Sequence, residues 1–315
     1  MHTLEPELRA LHAEGVIDDA TASSALALDR GDMFSLHQEL RATMYAGVLL
    51  VMTGVGILLA RNLDRIGPLA IVLAIAVAAA ACAVPAIRAK RAGRALSVAG
   101  NYLLLLAVLL GSAGLAYAEH QFTLLGPLWS WHLLLLAVVH AVVAYRFASP
   151  LVLAASLTSL VGWFGVGVTP GDVLQFSYST PMLGARALAC AAVIAAWHYA
   201  DHRARPDTSF SGVFEHFVAN LAFWGTLSWC LEWPWLAAGL PLLAVLAYAS
   251  VRRGLDTGRE AFLVYGIVYA VIGICAVVVP RLHGMTASFG FVLIVVCTAT
   301  AMLWQLRRRL REPGP

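Results

Sequence analysis

Polar and apolar positions along this chain separate into long blocks. Charged residues are swept out of ten apolar runs between about Thr43 and Leu306, most of them 17 to 23 residues long, and collect in the gaps. The runs are Ala46–Ala60, Pro68–Ile87, Leu96–Ala118, Leu128–Tyr145, Pro150–Val168 and Leu183–Tyr199, followed by Val213–Leu231, Trp235–Val251, Ala261–Val279 and Gly284–Leu306. About 20 apolar residues in a helix cross the roughly 30 Å hydrocarbon layer, and only helices or closed barrels satisfy their backbone there. Ten membrane-spanning helices are therefore expected.

Composition agrees with lipid as the solvent. Sixty per cent of residues are hydrophobic, 12% are charged, and the mean hydropathy is +0.79. A soluble domain of 315 residues needs more charge than this to cover its surface. The net charge of +3 points to no nucleic-acid partner; what carries information is where the charge sits. Cys82, Cys190, Cys230, Cys275 and Cys297 all fall inside apolar runs and form no C-x-x-C pair. Neither a disulfide framework nor a cysteine metal site is expected. The polar first 40 residues do not read as a cleavable signal peptide, so the first span is expected to direct insertion.

The basic residues orient the chain. With the N-terminus inside, the inner gaps and the C-terminal tail hold 15 Lys and Arg, including Arg88, Lys90, Arg91, Arg146, Arg205, Arg253 and Arg307, whereas the outer gaps hold Arg61, Arg65, Arg186 and Arg281. Cytoplasmic loops carry such an excess, which predicts both termini in the cytosol. Trp129, Trp131, Trp233 and Trp235 then lie at outer span ends, where interfacial aromatics anchor a helix.

Residues 1–41 read as a cytoplasmic helical head, 42–306 as the membrane domain and 307–315 as a basic tail. In the head, Leu4, Leu8 and Leu11 mark one helix stripe that Gly15 is placed to end, and Asp18 is a good N-cap for a second helix through Ala25 to Leu28. Phe34, Leu36 and Leu40 suggest a juxtamembrane helix. Forty residues supply little core of their own, so the head is expected to pack on the membrane domain, another copy or a protein partner. Eight acidic residues and few basic ones disfavour DNA binding.

The segments LRALHAEGVIDDATASSAL, YAGVLLVMTGVGILLARNLDRIGP and GSAGLAYAEHQF together resemble the bacterial membrane-protein family DUF2157. The head "LRALHAEGVIDDATASSAL" is similar to that family's W-x-x-x-G-x-I-(S/D/T) opening, with Leu11 or His12 at the tryptophan position. "YAGVLLVMTGVGILLARNLDRIGP" resembles its Gly-rich first span and N-W-D-x-I-P turn, with Leu63 in place of tryptophan. "GSAGLAYAEHQF" resembles its small-residue helix ending in a polar cluster, Glu119, His120 and Gln121 standing in. The resemblance covers about Leu8 to Leu125. It implies a polytopic protein of the bacterial cytoplasmic membrane and carries no activity with it.

Candidate chemistry is sparse. No Asp, Glu, Lys or Arg lies at the centre of a run, and no H-E-x-x-H, G-x-S-x-G or phosphate-binding loop occurs. No cofactor and no enzymatic activity are expected. Asn62, Asp64, Glu119, His120 and Gln121 share the outer side and form either a polar pocket or two hydrated loops. His132 and His140 share a face of the fourth run, as relay or ligand groups or as histidines bonded between helices. His198 and His202, at i and i+4 beside Asp201, are metal-compatible in spacing or simply a solvated helix end. Glu215 reads as a first-turn carboxylate favoured by the helix dipole. Glycines such as Gly47, Gly54, Gly56, Gly111, Gly114, Gly162, Gly165 and Gly167 are read as packing sites or, in "GWFGVGVTPG", as a hinge in a broken helix. The expected protein is an all-α membrane component acting through its head, with a transporter or flippase for a neutral or lipid-like solute as the alternative.

Overall fold

A computed structural model describes residues 36–62, 67–123, 131–165, 181–205, 210–232 and 234–311, with Gly126 and a few head positions (11–12, 16, 18–19 and 21–23). Every regular element among the described residues is helical. In chain order they are α1 (Leu36–Asn62), α2 (Pro68–Arg91), α3 (Val98–Phe122), α4 (Trp131–Phe147), α5 (Pro150–Trp163), α6 (Pro181–Ala204), α7 (Ser211–Cys230), α8 (Leu236–Thr257), α9 (Glu260–Val278) and α10 (Met285–Arg311). Each coincides with one apolar run.

Seven of these helices are long and apolar enough to cross a membrane: α1, α2, α3, α6, α8, α9 and α10. The other three differ from the expectation of ten equivalent spans, each for a visible reason. Helices α4 and α5 are apolar but have only 17 and 14 residues. At 1.5 Å per residue, α5 reaches about 21 Å, short of the full hydrocarbon thickness. It stops at Trp163, and Gly165 then turns left-handed at φ +70°. Gly167 and the rest of the suggested hinge lie outside the described residues. Helix α7 has 20 residues, but Glu215, His216, Asn220, Thr226 and Ser228 make it too polar to qualify.

Local chemistry sets the helix starts. Ser97 caps α3 by accepting from the Gly100 N–H at 3.0 Å, and Ser149 with Pro150 opens α5. In the head, the Asp18 carboxylate accepts from the Thr21 N–H at 2.8 Å, the N-cap expected there. The Val16 N–H bonds the Leu11 carbonyl at 3.0 Å, the six-to-one closure of a Schellman ending. Gly15, Ala25 and Leu28 lie outside the described residues. Neither end of the membrane domain coincides with a helix break: α1 already begins at Leu36, and α10 runs on to Arg311. Leu36 and Leu40 are helical as expected and continue directly into the first long helix, and Phe34 lies outside the described residues.

Packing places the polar helix in the middle. Helix α7 packs against α5, α6, α8 and α9. Its Phe214 and Leu221 join a core with Val152, Leu157, Cys190 and Ile194 from α5 and α6. Its Phe223, Leu227 and Cys230 join a second core with Leu243 of α8. By contrast, none of the spanning window of α10 is buried, and 6% of that of α1. The least buried helices, α1 and α10, are apolar, whereas the helix carrying hydrogen-bonding groups is enclosed by neighbours that satisfy them.

Glycines close the second half of this bundle, though not the ones singled out above. A Cβ on Gly184, Gly225, Gly239, Gly254, Gly266 or Gly273 would meet a neighbouring helix at 3.0 Å or less. At Gly47, Gly54, Gly56 and Gly111 it would meet nothing within 4 Å. Among the described residues, the packing assigned to the α1 glycines is not made. Gly114 and Gly162 do pack, against Ile75 and Leu133.

Candidate functional site on the central helix

Glu215 lies one residue beyond the first turn of α7, so the helix dipole is not what holds it. Its carboxylate, 13% exposed, accepts from Arg253 at the end of α8 (2.8 Å) and from Arg259 just before α9 (2.5 Å). Glu260 of α9 in turn lies 3.2 Å from Arg307 of α10. These pairs gather the start of α7, the end of α8, the start of α9 and the end of α10 at one end of the bundle. That is the arrangement alternating helices require.

From the next residue inward, two rungs link α7 to α9, the first at His216 and the second one turn deeper at Asn220. His216 Nδ1 lies 3.1 Å from the Tyr265 hydroxyl, and its ring stacks on Phe262 with centroids 5.5 Å apart. Asn220 Oδ1 accepts from the Tyr269 hydroxyl at 2.9 Å, and the Tyr269 ring stacks on Phe223 at 4.6 Å. Both helices space their partners by four residues, so the rungs fall on one face of each. Beside them lies a groove of about 440 Å³ lined by Val161, His216, Asn220, Trp224 and Tyr269. A second groove, about 240 Å³, includes Glu215, Arg253, Ser250 and His198. The sequence held a signal for this site in the i, i+4 spacing of His216 with Asn220 and of Tyr265 with Tyr269. Each group alone reads as an ordinary semi-polar residue of a span; only the pairing gives it meaning.

His140, among the expected candidates, is buried between α3, α4 and α5, with its Nε2 3.1 Å from the Ser112 hydroxyl and its Nδ1 3.5 Å from that of Ser159. His132 is buried on the same helix. His140 thus matches the interhelical hydrogen-bonding reading. His198 stacks on Phe214 at 5.4 Å and lies 6.1 Å from His202, ring to ring. The buried Asp201 lies against the Tyr145 hydroxyl instead. Among the described residues no three His, Cys, Asp or Glu converge on a metal position.

Of the expected cluster Asn62, Asp64, Glu119, His120 and Gln121, the side chains of Glu119, His120 and Gln121 are among the described residues. Helices α1 and α3 are neighbours, Val48 packing with Tyr102 and Leu105, so they run side by side. Glu119 Oε1 accepts from the Gly126 N–H at 3.0 Å, closing the turn after α3, and His120 and Gln121 are exposed. Asp64 and the side chain of Asn62 lie outside the described residues. Trp131 packs edge-on to Trp163 and Trp235 stacks on Trp229, while Trp129 and Trp233 lie outside.

Residues 9–153 match the model of a family described as a predicted membrane protein, DUF2157. Over that stretch the chain is similar to DUF2157. No curated protein and no solved structure matches the chain. The DUF2157 match runs past the three resembling segments, through α4 and into α5. It stops before α7, so the polar ladder and its ion pairs lie beyond the DUF2157 region.

Proposed function

We propose that the chain is a ten-span, non-enzymatic component of the bacterial cytoplasmic membrane, with both termini in the cytosol and residues 1–41 as a partner-binding head. The observation that carries this reading is how the described polar groups of the bundle are used. Glu215 is spent on Arg253 and Arg259, His216 on Tyr265, Asn220 on Tyr269, and His140 on Ser112 and Ser159. Such groups hold helices together; a carrier or catalyst keeps them turned toward its substrate. Orientation rests on the basic gaps, which coincide with the end where Glu215, Arg253, Arg259 and Arg307 meet. Affinity capture from solubilised membranes, with full-length protein and with protein lacking residues 1–41, tests the role of the head. Loss of a specific partner on truncation supports the reading, and an unchanged set of captured proteins counts against it.

A second reading is transport or flipping of a neutral or lipid-like solute. It is favoured by the 440 Å³ groove between α5, α7 and α9, whose wall carries His216, Asn220, Trp224 and Tyr269. Under that reading, Asn220→Ala and Tyr269→Phe lower solute movement in reconstituted vesicles and leave partner capture intact.

A further inference from the structure

The largest of the grooves described has about 800 Å³ and runs along the bundle wall between α4, α5 and α6. Its sides are apolar, with Leu134, Val138 and Val142 on α4 and Val193 on α6. Val138, Val142 and Val193 are 55%, 63% and 45% exposed, so the groove opens to whatever surrounds the bundle. Its far end changes character abruptly, to Tyr145, Arg146, Trp197 and Arg205. From Leu134 to Arg146 the helix rises about 18 Å. Half of the hydrocarbon core measures about 15 Å. The groove is thus one leaflet long, apolar along that length and basic where the leaflet ends.

The basic end is built. Trp197 Nε1 donates to the Tyr145 hydroxyl at 3.1 Å, Phe210 packs edge-on to Tyr145 at 5.2 Å, and the Arg205 guanidinium lies 4.8 Å from the Tyr145 ring centroid. Asp201 is buried against the Tyr145 hydroxyl. No carboxylate is among the groove's described lining residues, whereas two guanidiniums are. Guanidinium binds phosphate through paired hydrogen bonds, tyrosine and tryptophan settle at headgroup level, and basic recesses between spanning helices select anionic headgroups.

We infer that this groove holds an anionic phospholipid of the adjacent leaflet, with an acyl chain along α4 and its phosphate at Arg146 and Arg205. The inference needs only that α4 and α6 lie in the bilayer, and it is independent of whether the protein scaffolds or transports.

Native mass spectrometry of the full-length protein in nonionic detergent, titrated separately with phosphatidylglycerol and phosphatidylcholine of identical chains, provides the test. Phosphatidylglycerol is expected to bind more tightly, and Arg146→Gln and Arg205→Gln each to weaken it about fivefold, the worth of one basic side chain beside an anionic headgroup, with phosphatidylcholine unchanged. Arg146→Lys keeps the preference, which separates lost charge from lost fold. Ala141→Phe, which fills the groove, weakens both lipids. Equal affinity for the two lipids overturns the inference, as does phosphatidylglycerol binding that neither glutamine variant moves. Equally tight binding of free glycerol phosphate marks a soluble-anion site and also overturns it. A lipid-free dimer that Ala141→Phe dissociates assigns the groove to a second copy instead.

Discussion

Gly184 and Gly225 face each other across the crossing of α6 and α7, so closely that a Cβ on either would lie 2.8 Å from the other's carbonyl oxygen. No side chain yields in that contact, because backbone meets backbone. In lipid, where apolar surface gains nothing by burial against another helix, such close approach is a main source of helix association.

Substituting either glycine by alanine is therefore expected to destabilise the bundle by about 1–3 kcal/mol, the usual cost of overpacking. Gly54→Ala, with nothing within 4 Å of the added carbon, should be neutral or stabilising by up to about 1 kcal/mol through helix propensity. Thermal unfolding in detergent, followed by reaction of the buried Cys190 and Cys230 with a thiol dye, measures both signs.

Glu215→Gln removes the charge that Arg253 and Arg259 share. A loss of about 1–3 kcal/mol is expected, in the range of hydrogen bonds to charged groups, toward the lower end because both arginines are about half exposed. The same thermal assay reads it. Adding Arg253→Gln to Glu215→Gln should cost less than the two single effects together, since the pair is already broken.

Tyr265→Phe and Tyr269→Phe test the ladder between α7 and α9. Each removes one hydroxyl and keeps the ring that stacks on its neighbour, so about 0.6–1.7 kcal/mol is expected from the interhelical bond alone. Tyr269→Phe should cost more than Tyr265→Phe, because Asn220 Oδ1 is left without the donor that satisfies it. Equal and negligible effects would make the ladder incidental.

In the head, the Thr21 hydroxyl and amide hold the Asp18 carboxyl below its ordinary value of 3.8. A carboxyl depressed in the folded state contributes above its unfolded pKa, and that contribution is lost as pH falls through the folded one. The Thr21 amide resonance should therefore shift with a midpoint below 3.8, and Asp18→Ala should abolish the transition.

Much of this architecture is legible in the chain because the period and length of the apolar runs answer to a single constraint, the thickness of a bilayer. That is why each run became one helix, whereas Asp18 marks a start in the head by its side-chain chemistry alone. Partnership between helices is another matter. His216 and Tyr265 are 49 residues apart, as are Asn220 and Tyr269, and nothing local couples them. Gly54 and Gly184 look alike in sequence, yet one faces open space and the other a carbonyl. Glu215 resembled a dipole-stabilised carboxylate until its distance from the helix start and its two arginines were known. The outer cluster of Asn62, Asp64, Glu119, His120 and Gln121 was gathered by topology alone, and the Glu119 carboxylate serves the turn at Gly126.

Threading through the membrane, with the end that joins Glu215, Arg253, Arg259 and Arg307 in the cytosol, underlies the whole account. Single cysteines placed at His120 and Asp256, in a variant whose five native cysteines are replaced by alanine, test it in intact cells with a membrane-impermeant maleimide. The account predicts that position 120 is labelled from outside and position 256 only after the membrane is permeabilised. Labelling of position 256 in intact cells, or protection of position 120, would contradict it.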